Sequence, residues 1–240
     1  MTDCTARIKQ LAGWFYTRLI AARYSHNKII DGSVPCLWQT PEGVLYWHEY
    51  VPMRMSNLSE NDKQVRARLF SLKKGRYTMF FAKELANALQ ILSQKEHCTH
   101  FALIRVPRST VGLETGLAES IKTLSNTVLN GITVSDYSNY LVRTKDIIPQ
   151  HLTDGRTPPH ILKNSLALTL SLTSLPSLSS ISYLFVLIDD IVTSGRTLLV
   201  CRDILIESGI QPAQIRMMAI ARTVYRGENS YPRTCGVPYH

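Results

Sequence analysis

The most informative part of this chain is the run Phe185-Val-Leu-Ile-Asp-Asp-Ile-Val-Thr-Ser-Gly-Arg-Thr197. Four apolar residues lead into two adjacent acids, Asp189 and Asp190, and a short loop of hydroxyl residues and glycine follows. A helical pattern begins at Thr197, so we expect a buried strand that opens onto a helix N-terminus. The first amides of a helix lack internal partners, and the helix dipole favours an anion there. The run therefore predicts a phosphorylated sugar as ligand, with its phosphate in the loop and its hydroxyls on the acids.

The composition is that of a chain able to bury a core. With 240 residues and 45% hydrophobic content, it suits one domain, or one domain plus a small appendage. No apolar run approaches the roughly 20 residues that span a bilayer, and Met1-Thr-Asp-Cys-Thr lacks an apolar signal core. The five scattered cysteines contain no C-x-x-C pair, so they indicate neither a zinc site nor a disulfide framework. We expect a cytoplasmic protein with no membrane partner.

The chain is basic, with a formal net charge of +9. This excess favours anionic partners such as phosphorylated metabolites, nucleic acid or an acidic protein surface, but a solvated basic surface without a specific partner would carry the same charge. Basic residues are prominent in two segments of the chain. Residues 5–23 read as an amphipathic helix that either packs against the main domain or a partner, which we favour, or faces nucleic acid. Residues 63–76 form a basic stretch.

Strand-like and helix-like patterns alternate along most of the chain. Strands are predicted at 44–53, 101–106, 139–143, 166–172, 183–188 and 215–221, and helices at 5–23, 78–93, 113–124 and 197–208. Residues 29–40 and 54–62 read as loop or turn, 144–159 as a long polar loop and 173–180 as a connector. The alternation predicts an α/β domain with a mainly parallel sheet covered on both faces and ligands at the carboxyl ends of its strands. We divide the chain into an N-terminal helix and connector, 1–43, and a main domain, 44–240.

The run around the two acids resembles the ligand-binding motif of type I phosphoribosyltransferases. These enzymes use 5-phosphoribosyl-1-diphosphate (PRPP), and the match is unbroken from Phe185 to Thr197. Weaker features across about residues 44–225 resemble the competence-protein F (ComF) branch. They are Tyr46 or Tyr50, Lys73-Lys74-Gly75, Val106-Pro107, Leu141-x-Arg143, Gln150, Leu152, Arg156 and Ala221-Arg222. The resemblance implies a type I phosphoribosyltransferase fold for residues 44–240, with the N-terminal helix and a small hood region added.

Three departures separate this chain from the ComF pattern. The C-x-x-C zinc element of the ComF N-terminus is absent, and Val111-Gly-Leu-Glu-Thr-Gly116 replaces an expected Arg-Gly-Phe-Asn run. The gap from Arg156 to Asn164 is also longer than the family's Arg-x-x-Asn. We keep the predicted fold despite these departures. The resemblance does not predict a particular substrate or pathway.

The resemblance implies a role for each part of the site. Asp189 and Asp190 would face the ribose 2′- and 3′-hydroxyls, and Arg108 and Ser109 would bind the diphosphate. The 5′-phosphate would be enclosed by Thr193, Ser194, Gly195, Arg196 and Thr197. Arg143 and Lys145 would stand at the start of a mobile loop whose positive charges neutralise the leaving group. Mg²⁺ is implied as cofactor, held through the ligand near the two acids rather than by direct protein ligands.

The structural alternatives are a proline-terminated strand with a surface arginine at 106–110 and a solvated charged loop at 144–159.

Two functions follow from the resemblance. The first is a Mg²⁺-dependent phosphoribosyltransferase, a glycosyltransferase of nucleotide metabolism that transfers phosphoribosyl to a nitrogen nucleophile and releases diphosphate. The second is a non-catalytic subunit that senses PRPP or a related nucleotide in a nucleic-acid assembly, either for DNA uptake or for retron-type antiviral defence. The basic stretch 63–76 and the helix 5–23 favour a nucleic-acid or nucleoprotein partner. The sequence predicts neither the identity of the acceptor base nor the oligomeric state.

Overall fold

The computed structural model describes residues 37–52, 55, 58–112, 116–127, 129, 131–148, 157–169 and 183–225, and the backbone of 237–238. The predicted helix at 5–23 and the connector at 173–180 lie outside these residues. The proposed boundary at residues 43 and 44 stays a prediction, although a short strand before it, Trp38–Gln39, belongs to the main sheet.

The described elements alternate between strands and helices along the chain. In order they are β1 (Trp38–Gln39), β2 (Val44–Tyr50), α1 (Glu60–Lys73), α2 (Thr78–Glu96), β3 (His100–Arg105), α3 (Gly116–Ser125), β4 (Thr133–Asp136), β5 (Leu141–Arg143), α4 (Pro159–Asn164), β6 (Leu166–Leu168), β7 (Tyr183–Val192), α5 (Arg196–Glu207), a 3₁₀ turn (Pro212–Gln214), β8 (Ile215–Thr223) and β9 (Val237–Pro238). In the described part of the chain, every helix is too short or too polar to cross a membrane.

The main sheet of the described residues has seven strands in the order β4-β3-β7-β8-β2-β1-β9. The five strands from β4 to β2 pair in parallel, and β1 pairs antiparallel with both β2 and β9. This confirms the predicted α/β class with a mainly parallel sheet flanked by helices. Parallel strands end at a common edge, so the residues that follow β3, β7, β8 and β2 lie along one side of the sheet.

Strand β7 is the centre of the fold, and its apolar run is explained by burial on both faces. Leu184, Val186 and Ile188 belong to one core cluster, which also contains the apolar sides of α1, α2 and α3. Phe185 and Leu187 belong to a second cluster, beneath α5. Burying each such side chain contributes about 1.5–3 kcal/mol, so the strand that carries the two acids is firmly held.

Helix α1 is the main element that sequence patterns missed. Its first turn is fixed by a capping box: Asp62 N donates to Ser59 Oγ at 3.2 Å, and Ser59 N donates to Asp62 Oδ2 at 3.0 Å. The segment was interpreted only as turn-rich and then basic, because Val65, Leu69 and Leu72 are its buried apolar residues among many polar ones. The basic stretch 63–76 is thus largely helical and ends beside the sheet.

Strands β4 and β5 also differ from expectation. β4 was not predicted, because it is a four-residue edge strand with one buried position and little apolar pattern. β5 was predicted as the next strand of the α/β alternation, but it pairs antiparallel with β6 in a separate two-stranded sheet. Arg143 therefore comes from outside the main sheet.

Candidate functional site

The two acids lie near the end of β7, which finishes at Val192. Asp190 Oδ2 lies 3.2 Å from Lys73 Nζ at the end of α1. Asp189 interacts electrostatically with Asp190 and Lys73, and also with Arg143 and with Cys201 of α5. Backbone amides hold one oxygen of each carboxylate, with Asp190 N donating to Asp189 Oδ1 and Ile191 N donating to Asp190 Oδ1, both at 2.8 Å. The pair is therefore oriented before any ligand arrives.

The electrostatics of the pair favour a neutral Asp189. Burial, followed by the negative charge of Asp190, raises the pKa of Asp189 to about 8, and Lys73 acts in the opposite direction. Burial and the charge of Asp189 likewise raise the pKa of Cys201 to about 12. Cys201 is thus an unreactive thiol within the core.

The loop after β7 leads through a glycine into the first turn of α5. Gly195 is the N-cap of α5. Its φ of +68° lies in the left-handed region, which residues other than glycine rarely adopt. Thr193 and Ser194 are exposed, and Arg196 and Thr197 are partly buried in the first turn of α5. Thr193 Oγ1 lies 2.8 Å from Thr223 Oγ1 at the end of β8. Hydroxyl groups and the first amides of α5 therefore share this end of the sheet.

The segment after β3 is braced on two sides. On one side, Val106 N donates to Ile188 O of β7 at 2.8 Å. On the other, Ile147 N donates to Ser109 O at 2.9 Å, and Val111 N donates to Asp146 Oδ1 at 2.7 Å. Arg108 and Ser109 are partly exposed within this braced segment. They lie at the end of the strand that neighbours β7.

Arg143 supplies a further brace. Its side chain is buried, with 6% exposure, at the end of β5. Nε donates to Arg108 O at 2.8 Å, Nη2 donates to Pro107 O at 3.2 Å, and Nη1 donates to Ser165 Oγ. Burial lowers the pKa of Arg143, while Asp189 opposes that shift. The guanidinium that we expected to meet a leaving group thus contacts backbone, whereas Lys145 is exposed.

Lys73 is the site residue to which sequence reasoning gave no role. It was noted only as part of the Lys73-Lys74-Gly75 stretch, yet its ammonium group contacts Asp190. The position of a lysine near the carboxyl end of an amphipathic helix carries no local signal for this contact, because the partner acid lies more than a hundred residues away in the chain.

The acid pair offers oxygen donors but does not form a complete metal site on its own. Among the described residues, no group of three or more histidine, cysteine or acidic side chains could hold a metal by itself. Mg²⁺ is usually bound by one or two carboxylates together with substrate phosphates. Asp189 and Asp190 have that chemistry.

No protein-family model matches the chain, and no curated protein matches it.

Proposed function

We propose that this protein binds PRPP with Mg²⁺ and transfers its phosphoribosyl group to a nitrogen nucleophile, with release of diphosphate. The proposal includes a type I phosphoribosyltransferase fold of the ComF-like kind, with a small hood region, and a cytoplasmic location. The observation that carries it is the oriented pair Asp189 and Asp190 at the end of the central strand, followed by the left-handed Gly195 and α5.

Each part of the site has a task in this reaction. The two carboxylates hold the ribose hydroxyls, and the loop 193–197 receives the 5′-phosphate on hydroxyls and helix amides. Arg108 and Ser109 receive the diphosphate, and the exposed Lys145 adds charge when its loop closes. Mg²⁺, when bound near the acids, would neutralise charge on the diphosphate. The protein contributes positioning and electrostatics, because no covalent intermediate is needed.

The proton on Asp189 gives the site a ligand-dependent charge. Without ligand, the raised pKa keeps much of Asp189 neutral near pH 7. A bound cation favours the ionised carboxylate. The anionic phosphates of PRPP favour the neutral form, so the direction of proton exchange on binding depends on which charge lies nearer Asp189.

The test of the proposed function is turnover. Diphosphate release from PRPP is measured with a panel of bases for the wild-type protein and for Asp189→Asn/Asp190→Asn. We expect base-dependent release by the wild type and at least a 100-fold loss in the variant. PRPP binding without turnover on any base would contradict the enzyme and favour a sensing role.

A second candidate function, a sensing subunit of a nucleic-acid assembly, is supported by a basic and aromatic corner after α1. Phe70 and Tyr77 are exposed at 58% and 52%. Lys74 Nζ lies 4.4 Å from the Phe70 ring centroid, and Arg76 is exposed beside it. Exposed aromatic rings among cations suit single-stranded nucleic acid.

Its test is anisotropy of a labelled single-stranded oligonucleotide over a range of salt concentrations. Lys74→Gln/Arg76→Gln should weaken binding at least fivefold and reduce the salt dependence. Unchanged binding would exclude this corner as the interface.

A further inference from the structure

A cavity of about 280 Å³ lies between α1 and the ends of β2 and β7. We name it the α1 cavity. Its lining consists of Tyr50, Lys63, Arg66, Ala67, Leu69, Phe70, Lys73 and Ile191. Two of these residues connect it directly to the acid pair, because Ile191 follows Asp190 in the chain and Lys73 Nζ contacts Asp190. The α1 cavity is therefore adjacent to the position proposed for the ribose.

The sheet order separates β2, which borders this cavity, from β3, which leads to the proposed diphosphate segment. β3, which leads into Arg108 and Ser109, neighbours β7 on one side. β2, which ends at Tyr50, lies on the other side of β7, beyond β8. A nucleophile that displaces diphosphate in line must approach ribose C1 from the side away from the leaving group. Of the two sides of β7, the one toward β2 borders the α1 cavity.

The residues that line the α1 cavity are apolar, aromatic or positively charged, and they determine the shape and charge of a ligand that fits it. Tyr50 and Ile191 are partly buried against the core, and Phe70 adds a second aromatic ring. Among the described lining residues, the charged ones are the cations Lys63, Arg66 and Lys73. Glu60 and Asp190 pair with the two lysines. Arg66 is fixed by donating to Val51 O and Pro52 O at 2.8 and 2.7 Å through Nη2.

The volume limits the size of the occupant. Sites for drug-sized ligands span about 300–1,000 Å³, so a cavity just below that range suits a single small ring system. Apolar and aromatic walls favour a flat ring, and a fixed guanidinium favours an anionic substituent.

We propose that the α1 cavity is the acceptor site and that the acceptor is a heteroaromatic or aromatic amine carrying an acidic group, an inference that rests on the proposed function. In the reaction, the nitrogen lone pair forms a bond to ribose C1 while the C1–O bond breaks. The electron pair of that bond leaves with diphosphate, and the proton lost from nitrogen passes to water.

The experiment blocks the cavity without touching the acid pair or the phosphate loop. Ala67→Trp fills the cavity from α1, and Gln64→Trp, an exposed position on the same helix outside the lining, is the matched control. Folding of both variants is checked by circular dichroism. Calorimetry in the presence of PRPP and Mg²⁺ then measures binding of anthranilate, orotate and nicotinate, and of their uncharged counterparts aniline, uracil and nicotinamide.

The expected result has three parts. At least one acid binds the wild type at least tenfold more tightly than its uncharged counterpart, and Ala67→Trp weakens that binding at least tenfold. Gln64→Trp leaves it unchanged, and all three proteins bind PRPP within twofold of one another.

Other outcomes overturn the inference. If PRPP binds but none of the acids does, or if Ala67→Trp binds the acid as the wild type does, the α1 cavity is not the acceptor site. If charged and uncharged compounds bound equally tightly, the acceptor would not be recognised by an acidic group. If PRPP itself fails to bind the wild type, the proposed function fails and this inference fails with it.

Discussion

At the scale of single residues, the account depends on two acids whose environments differ. Asp190 is paired with Lys73, whereas burial and Asp190 keep Asp189 protonated to a higher pH than usual. Such a carboxyl group costs stability once it ionises, and a protein tolerates the cost where the charge meets a ligand. The pair is therefore expected to weaken the fold and to serve binding.

Replacement of Asp189 by asparagine is expected to stabilise the protein in a pH-dependent way. The pKa of Asp189 is raised from an ordinary 3.8 to about 8. Between these values the folded state holds a proton that the unfolded state has released, so wild-type stability falls as pH rises. Asp189→Asn removes this loss, and we expect it to be about 1–3 kcal/mol more stable than the wild type at pH 8, with a smaller difference at pH 5.

Urea unfolding at pH 5, 6.5 and 8 measures that difference. Asp203, an exposed acid on α5, supplies the control: the stability difference between Asp203→Asn and the wild type should vary little with pH. A stability difference for Asp189→Asn that stays constant from pH 5 to pH 8 would argue against a raised pKa.

Gly195 is expected to be needed for conformation and for binding. Gly195→Ala places a side chain at φ of +68° and should cost about 1–2 kcal/mol. Gly131, at φ of +72° with open space around it, is a matched control for the backbone strain. Both variants should lose similar stability in denaturant titrations, but Gly195→Ala alone should weaken PRPP binding. If the two variants bound PRPP with equal affinity, Gly195 would not be part of the phosphate site.

At the scale of elements, the central feature is the brace between the segment after β3 and the end of β5. Arg143 bonds to two backbone carbonyls and to Ser165 Oγ, which itself donates to Leu162 O at 2.6 Å. Arg143 therefore positions Pro107 and Arg108 through their backbone carbonyls, and with them the adjacent Ser109.

Arg143→Lys is expected to loosen that segment, because an ammonium group cannot reproduce the fork of a guanidinium. Unsatisfied buried carbonyls should cost about 1–3 kcal/mol, and amide exchange across 108–111 should rise. Ser165→Ala should change exchange in the same direction by less, since it removes one of the supports. Lys145→Ala, at an exposed position, should leave exchange unchanged. If Arg143→Lys weakened PRPP binding with no change in exchange, Arg143 would act on the ligand rather than on the segment.

The same scale shows what sequence patterns can predict. β2, α2, β3, α3, β7, α5 and β8 all carry strong apolar periodicity, and each was predicted within a few residues of its ends. α1 and β4 were missed because charged residues dominate the first and exposure the second. The acid pair and its loop are local in sequence and were recognisable. The contacts of Lys73 and Arg143 join distant segments, so only the folded structure reveals them.

At the scale of the whole molecule, the parallel sheet arranges three features along one edge. The braced segment follows β3, the acid pair ends β7, and the α1 cavity lies beside the end of β2. This order matches the leaving group, the sugar and the acceptor of a displacement reaction. The basic charge of the chain suits each anionic ligand in that series.

The central claim is that the end of β7 binds PRPP, and calorimetric titration of PRPP with Mg²⁺ tests it most directly. The wild type and the control Asp203→Asn should bind with equal affinity. Asp189→Asn/Asp190→Asn should bind at least tenfold more weakly while remaining folded by circular dichroism. Equal PRPP affinity in the wild type and the double variant, or failure of the wild type to bind at all, would contradict the account.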